Sequence, residues 1–217
     1  MNTVMNTQLI ALTTGLLLLT AVGQLWLRSV VGSVLLLVVQ GAALAGLVVT
    51  VGFGEHGVEA AVMAGVIVAL KAGFLPWALR RTALHTRVAD GLDPGAKPTR
   101  DLLSAIVLVS VAYVVSQSIA HGDAAHRALP IGFALILLGF QMLLTRRTAV
   151  SQLVGFLILD NGISTIAVLS SGGLPLIVEI GVLVDVLLVV LILRVLTVRM
   201  RSETGGTSLA ELRELHD

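Results

Sequence analysis

Apolar residues in this chain come in long blocks, separated by short stretches of basic, turn-forming or glycine-rich sequence. One such run, LLLVVQGAALAGLVVTV, would suit a single buried helix of a soluble protein. Seven runs with almost no polar face between them do not suit one. Each run is near the ~20 residues that cross a hydrocarbon core. The pattern predicts an all-α, polytopic membrane protein of about seven transmembrane helices, at 7–27, 30–52, 58–79, 102–120, 129–145, 148–170 and 174–198. Residues 1–200 then form a single transmembrane domain, and 201–217 a cytoplasmic tail. Helices 1–3 and 5–7 share a pattern around helix 4 as connector: an apolar helix and a basic turn, a helix with a central polar-glycine pair, then a helix with a central charge. In that match Gln40-Gly41 corresponds to Asp160-Asn161 or Asn161-Gly162, and Lys71 to Asp185.

Composition strengthens the membrane reading. Hydrophobic residues make up 56% of the 217, and charged residues 12%, where soluble domains carry about a quarter. The first eight residues hold no basic side chain, and the apolar stretch after them is too long for a typical signal peptide. The net charge of +1 says nothing about nucleic acid, and no nucleic acid partner is expected; the placement of the cations is what informs. With seven spans, Arg28, Arg80, Arg81, Arg87, Lys97, Arg100, Arg146, Arg147, Arg194, Arg199, Arg201 and Arg213 fall on one side. Arg127 stands alone on the other, and Lys71 is inside a span. Cytoplasmic loops carry such an excess. The expected orientation is N-terminus outside and C-terminus inside, in the cell (inner) membrane. The longest loop, about 80–101, includes the turn-rich DGLDPGAKPTR. In the tail, Ser208 and Glu211 have capping-box spacing ahead of a short amphipathic stretch, Leu209 to Leu215.

The absence of cysteine excludes disulfides, iron–sulfur ligation by this chain and c-type haem attachment. His56, His85, His121, His126 and His216 all fall in expected loops or the tail, which argues against a membrane b-haem. No cofactor or metal bound by this chain is expected; redox centres of any parent system lie in other subunits.

What remains is a set of polar groups in the wrong solvent. FLILDNGIS places Asp160, Asn161 and Gly162 near mid-depth of helix 6. Lys71 and Gln40 fall near the middles of helices 3 and 2. At ~1.5 Å per residue, Asp185 lies about 16 Å into helix 7 and Glu179 about 7 Å. Each central charge costs roughly 2.5–3.5 kcal/mol to insert, so these groups need partners, water or neutralisation. A lysine–aspartate pair can simply pin two helices together. A band spread over four helices reads better as a functional path, in which a lysine that changes partner switches a carboxylate between ionised and protonated states. Pro76 cannot donate to the carbonyl of Ala72, and Gly73 leaves room for a partner or water beside Lys71. Asn161-Gly162 suggests a loosened turn or π-bulge in helix 6. Glu179 and Asp185, six positions apart, point about 120° from one another, so one of them is free to serve a neighbouring subunit.

The constellation of Asp160-Asn161-Gly162, Pro175, Val178-Glu179-Ile180-Gly181 and Asp185, together with Lys71, Pro76 and Gln40, resembles the hydrogenase-4 component E family over nearly the whole chain. The last three helices are also similar to the small K subunit of respiratory complex I and to its Mrp-antiporter C-subunit relative. Two departures stand out. Glu often occupies the place of Asp160 in the hydrogenase family. The complex I subunit has a Glu about four positions before its Asn, where this chain has Leu157. The resemblance implies a non-catalytic subunit of a formate-hydrogenlyase-type, group 4 hydrogenase complex. It would lie between a quinone-subunit-like anchor and antiporter-like subunits, with peripheral hydrogenase and iron–sulfur subunits as further partners. Asp160, Asp185, Glu179 and Lys71 would carry protons or Na⁺, with Asn161 and Gln40 as polar links and Gly162, Pro76 and Gly73 giving backbone freedom. The alternatives are a component of an Mrp-type cation/proton antiporter, or a structural scaffold.

Overall fold

A computed structural model describes residues 3–27, 29–52, 57–85, 98–118 and 122–171. All lie in the first of two compact units, Met1–Val182 and Leu183–Asp217. The expected seventh span at 174–198, with Pro175, Glu179 and Asp185, and the tail at 201–217 lie outside the described residues.

The described chain is helical: α1 (Thr3–Trp26), α2 (Val30–Gly52), α3 (Gly57–Ile67), a π-helical segment (Val68–Phe74), α4 (Leu75–His85), α5 (Pro98–Ser116), α6 (Ala124–Thr145) and α7 (Ala149–Ser170). Among these residues six helical stretches are long and apolar enough to cross a membrane, with α3, the π segment and the start of α4 forming one span, Gly57–Arg80. The chain is thus a multi-pass helical membrane protein by length and composition.

Several boundaries differ from expectation. The helix expected from 129 begins at Ala124, because Asp123 caps it: its carboxylate accepts the backbone N–H of His126 at 3.0 Å and faces the His126 ring at 2.8 Å. Those contacts, the backbone one foremost, hold the Asp123 carboxyl below its ordinary range. The cap is therefore complete above the usual carboxylate range and is lost as pH falls through the lowered value. The fourth span runs 98–116 rather than 102–120, and α1 starts at Thr3 rather than near 7.

α6 and α7 form the centre of the described bundle. They pack antiparallel through glycines seven apart on each helix, Gly132 and Gly139 against Gly155 and Gly162. A Cβ on Gly139 would lie 2.5 Å from the Leu159 backbone nitrogen, and one on Gly162 2.7 Å from that of Ile136. Without side chains at these points the two backbones approach closely, as small residues allow in membrane helix pairs. The third span and α5 are the least buried. α5 shows Leu103, Ile106, Val107 and Val114 on its outside, as a helix bordering lipid or a neighbouring subunit does.

One end of the bundle is held by a buried ion pair. The Arg146 guanidinium lies 3.2 Å from the Asp101 carboxylate, with both side chains under 5% exposed, and donates to the Leu25 carbonyl at 2.9 Å. Gln141 donates to the Asp101 carbonyl at 2.8 Å and to the Ser104 hydroxyl at 2.6 Å. The C-terminal ends of α1 and α6 and the start of α5 thus meet here. Arg146, read from the sequence as one of a row of loop cations, is in fact an internal clamp.

Candidate functional site: a buried lysine–aspartate pair on a π-helical turn

The third span changes register at Val68–Phe74. The N–H of Leu75 reaches back five residues to the carbonyl of Leu70, the wide π-helical bond. Pro76 comes next and has no N–H with which to continue the ladder, so the register change is completed just ahead of it. Lys71 sits in the middle of this wide turn and is 4% exposed. Its ammonium donates to the Asp160 carboxylate at 2.6 Å and to the Ser164 hydroxyl at 2.9 Å. Asp160, 7% exposed, and Ser164 are one turn apart on α7, so one face of that helix presents both acceptors to the lysine.

The expected loosening at Asn161-Gly162 is not present: α7 is an unbroken α-helix from Ala149 to Ser170, and the π-helical distortion lies on the lysine's helix instead. Packing explains the difference. Gly162 lies against Leu135 and Ile136 of α6, so its missing side chain serves close contact. Gly73, expected to open a way to Lys71, is exposed, and a Cβ there would meet only the Val68 carbonyl at 3.6 Å. The close approach is made on α2 instead. A Cβ on Gly41 would lie 2.8 Å from the Lys71 carbonyl carbon and 2.8 Å from the Ala72 nitrogen. Since both are backbone atoms, Gly41→Ala is expected to push α2 from the π segment and destabilise the fold by roughly 1–3 kcal/mol. Thermal unfolding in mild detergent measures it; an unshifted midpoint would refute this account of Gly41.

A small cavity, about 10 Å³ for the centre of a water, lies beside the pair and is lined by Leu37, Lys71, Leu75, Leu157, Asp160 and Asn161. That is room for about one water molecule. Leu157 and Asp160, three positions apart, both line it, so a carboxylate at either position would face the same space. Gln40 is fully buried, and neither its amide nitrogen nor its carbonyl oxygen has a hydrogen-bond partner among the described residues.

The structure therefore brings together Lys71, Asp160 and Asn161 of the expected set, with Pro76 at the turn's edge; Glu179 and Asp185 lie outside the described residues. Ser164 and Gly41 were not expected at the site. Ser164 was findable, since it stands four residues after Asp160 on the same helical face. Chemically the site is a charged donor held between a carboxylate and a hydroxyl in an apolar bundle, with space for one water.

No family model matches the chain, and no solved structure matches it. Among curated proteins it is similar to uncharacterized protein Rv0085 of Mycobacterium tuberculosis (strain ATCC 25618 / H37Rv), with 37% identity over 207 residues that cover 94% of each chain.

Proposed function

We propose a function for a chain that belongs to the same family as that mycobacterial protein: it is a non-catalytic membrane subunit of a group 4 hydrogenase-type, complex-I-related oxidoreductase, and it contributes a mid-membrane path for protons or Na⁺. The observation that carries this reading is the buried Lys71–Asp160 pair seated on a π-helical turn. π-bulges occur frequently at functional sites, and ionisable groups inside a membrane mark ion and proton pathways by default. The resemblance to the hydrogenase-4 component E family supplies the kind of complex. The cavity shared by Leu157 and Asp160 supports placing the ionisable group of this chain one turn from its position in the complex I subunit. In this orientation the N-terminus lies outside and the arginine-rich loops are cytoplasmic.

In the mechanism we infer, the Lys71 ammonium changes partner: in contact it occupies the Asp160 carboxylate, and when it moves to another acceptor the carboxylate is open to the transported ion. Ser164, already in contact with the ammonium at 2.9 Å, is one such acceptor. The test is the parent complex, purified with its partners and reconstituted in liposomes. Asp160→Asn is expected to reduce ion movement at least about tenfold, within the range seen when a proton-transfer group is removed, while electron transfer by the partner subunits continues. Undiminished ion movement rejects the reading. A second reading, a structural clamp, draws on the tightness of the cavity, and the paired substitution described in the Discussion separates the two.

A further inference from the structure

We propose that the buried stripe of α2 that begins beside Gln24 of α1 is a hydrated access path that carries water and protons from the arginine-rich end of the bundle to the Lys71–Asp160 pair. Its use for protons rests on the function proposed above; its existence as a wet stripe does not.

Except for Ser33, the buried hydroxyls among the described residues have partners; Ser151, for one, accepts from the Thr148 hydroxyl at 2.7 Å. Thr13, Thr14, Thr20, Thr50, Ser116 and Thr165 each turn back to a carbonyl three or four residues earlier on their own helix. Ser33 does not. It is fully buried near the start of α2, yet its hydroxyl has no hydrogen-bond partner among the described residues. Beside it, Gln24 of α1, also fully buried, donates its amide to the Ser33 carbonyl at 2.9 Å and leaves its own side-chain oxygen unpartnered. Two turns further along α2, Gln40 leaves both ends of its carboxamide unpartnered.

These groups form a line. Ser33, Leu37 and Gln40 are spaced i, i+4 and i+7, so they share one stripe of α2. Leu37 on that stripe lines the cavity beside Lys71, Asp160 and Asn161. Ser33 lies about 5 Å from the start of α2 and Gln40 about 10 Å deeper. Four orphan polar atoms thus run from the end where Arg146 clamps the helices toward the ion pair. Buried polar groups are nearly always hydrogen-bonded to protein or to ordered water, and a site needs two to four polar partners to hold a water. A line of groups satisfied by water gives that run of orphan atoms along one stripe; the Arg146 clamp also leaves Asp101 Oδ1, Gln141 Oε1 and Arg146 Nε unpartnered, at the end of the bundle where the line begins. Leu37 stands between Ser33 and Gln40 and narrows the path.

Since the chain contains no cysteine, single thiols test the stripe directly. Ser33→Cys, Gln40→Cys and a control, Val154→Cys, would be made in the full chain within its complex. Val154 is fully buried at a similar depth on α7. Membrane vesicles of both orientations are exposed to a small charged methanethiosulfonate, and total thiol is counted after denaturation. The reagent attacks thiolate, which forms in water and is suppressed in apolar surroundings. Ser33→Cys is expected to react at least about tenfold faster than Val154→Cys from the arginine-rich face, with Gln40→Cys next and both slow from the opposite face. Rates at Ser33 and Gln40 no faster than at Val154, or equal from the two faces, overturn the path. Ser33→Leu in the same complex gives a check free of labelling: ion movement falls while the complex still assembles, and unchanged movement counts against the path. If the thiols label as expected but Asp160→Asn leaves ion movement intact, the wet stripe stands and the function proposed for the pair fails. If Asp160→Asn stops ion movement and the thiols stay unreactive, the function stands and the path fails.

Discussion

Asp160→Ala is expected to destabilise the folded chain by roughly 3–5 kcal/mol, the cost of leaving a buried charge without its partner. Lys71 is 4% exposed and keeps the Ser164 hydroxyl as an acceptor at 2.9 Å, but a neutral hydroxyl does not replace the lost countercharge. Thermal unfolding in mild detergent, followed by loss of monodisperse protein, measures the effect. The informative companion is the double variant Lys71→Met with Asp160→Leu. Replacing both members of a buried pair with apolar groups of similar volume is often neutral or stabilising by 1–4 kcal/mol, so the double variant is expected to regain the stability lost by the single one. Under the proposed function it still fails to move ions in the reconstituted complex. A double variant that is stable and moves ions normally identifies the pair as a clamp and nothing more. A double variant as unstable as Asp160→Ala shows that the pair matters by its shape and its contact with Ser164, and not by its charge alone.

The second large effect lies at the α6–α7 contact. Gly139→Ala places a Cβ 2.5 Å from the Leu159 nitrogen and 2.8 Å from the Gly155 carbonyl oxygen. No flexible side chain is there to yield, so the helices themselves must part. The expected cost is roughly 1–3 kcal/mol or more, and Gly139→Leu is expected to prevent recovery of folded protein. Gly15→Ala is the matched control: nothing lies within 4 Å of a Cβ there, and the exchange relieves a helix of glycine's cost of about 1 kcal/mol. If Gly139→Ala and Gly15→Ala unfold at the same temperature, the close contact is not a source of stability. Asp160 is on the same helix as Gly155 and Gly162, so separation of α6 from α7 also disturbs the carboxylate's approach to Lys71.

Much of this was legible in the sequence, for a physical reason: apolar runs of membrane length have few alternatives to spanning helices. The six described spans stand where six were expected, with ends displaced by several residues. The displaced end of α6 shows why. His126 and Arg127 were placed in a loop ahead of a helix starting at 129, but the Asp123 cap extends the helix to Ala124. The polar residues of the site were also legible, because a charge in an apolar run is conspicuous. Their pairing was not. Lys71 and Asp160 are 89 positions apart, and no local pattern says that they meet. The position of the distortion was misjudged for a related reason. Asn161-Gly162 is locally weak, but contact with α6 keeps it helical, whereas the segment before Pro76 departs from the α-helix. Local propensity is a weak prior that tertiary packing overrides.

The π-helical turn has a consequence for how this chain relates to its relatives. A turn that closes over five residues in place of four stores about one residue more than an ordinary helix of the same span. The two halves of the third span, Gly57–Ile67 and Leu75–His85, are therefore out of phase by roughly that one residue, about 100° of rotation. A relative with no lysine to present has no need of the surplus. In such a chain, a one-residue gap between positions 68 and 74 should accompany the loss of Lys71, and an alignment that forces the two halves into one register will place the wrong residue opposite it.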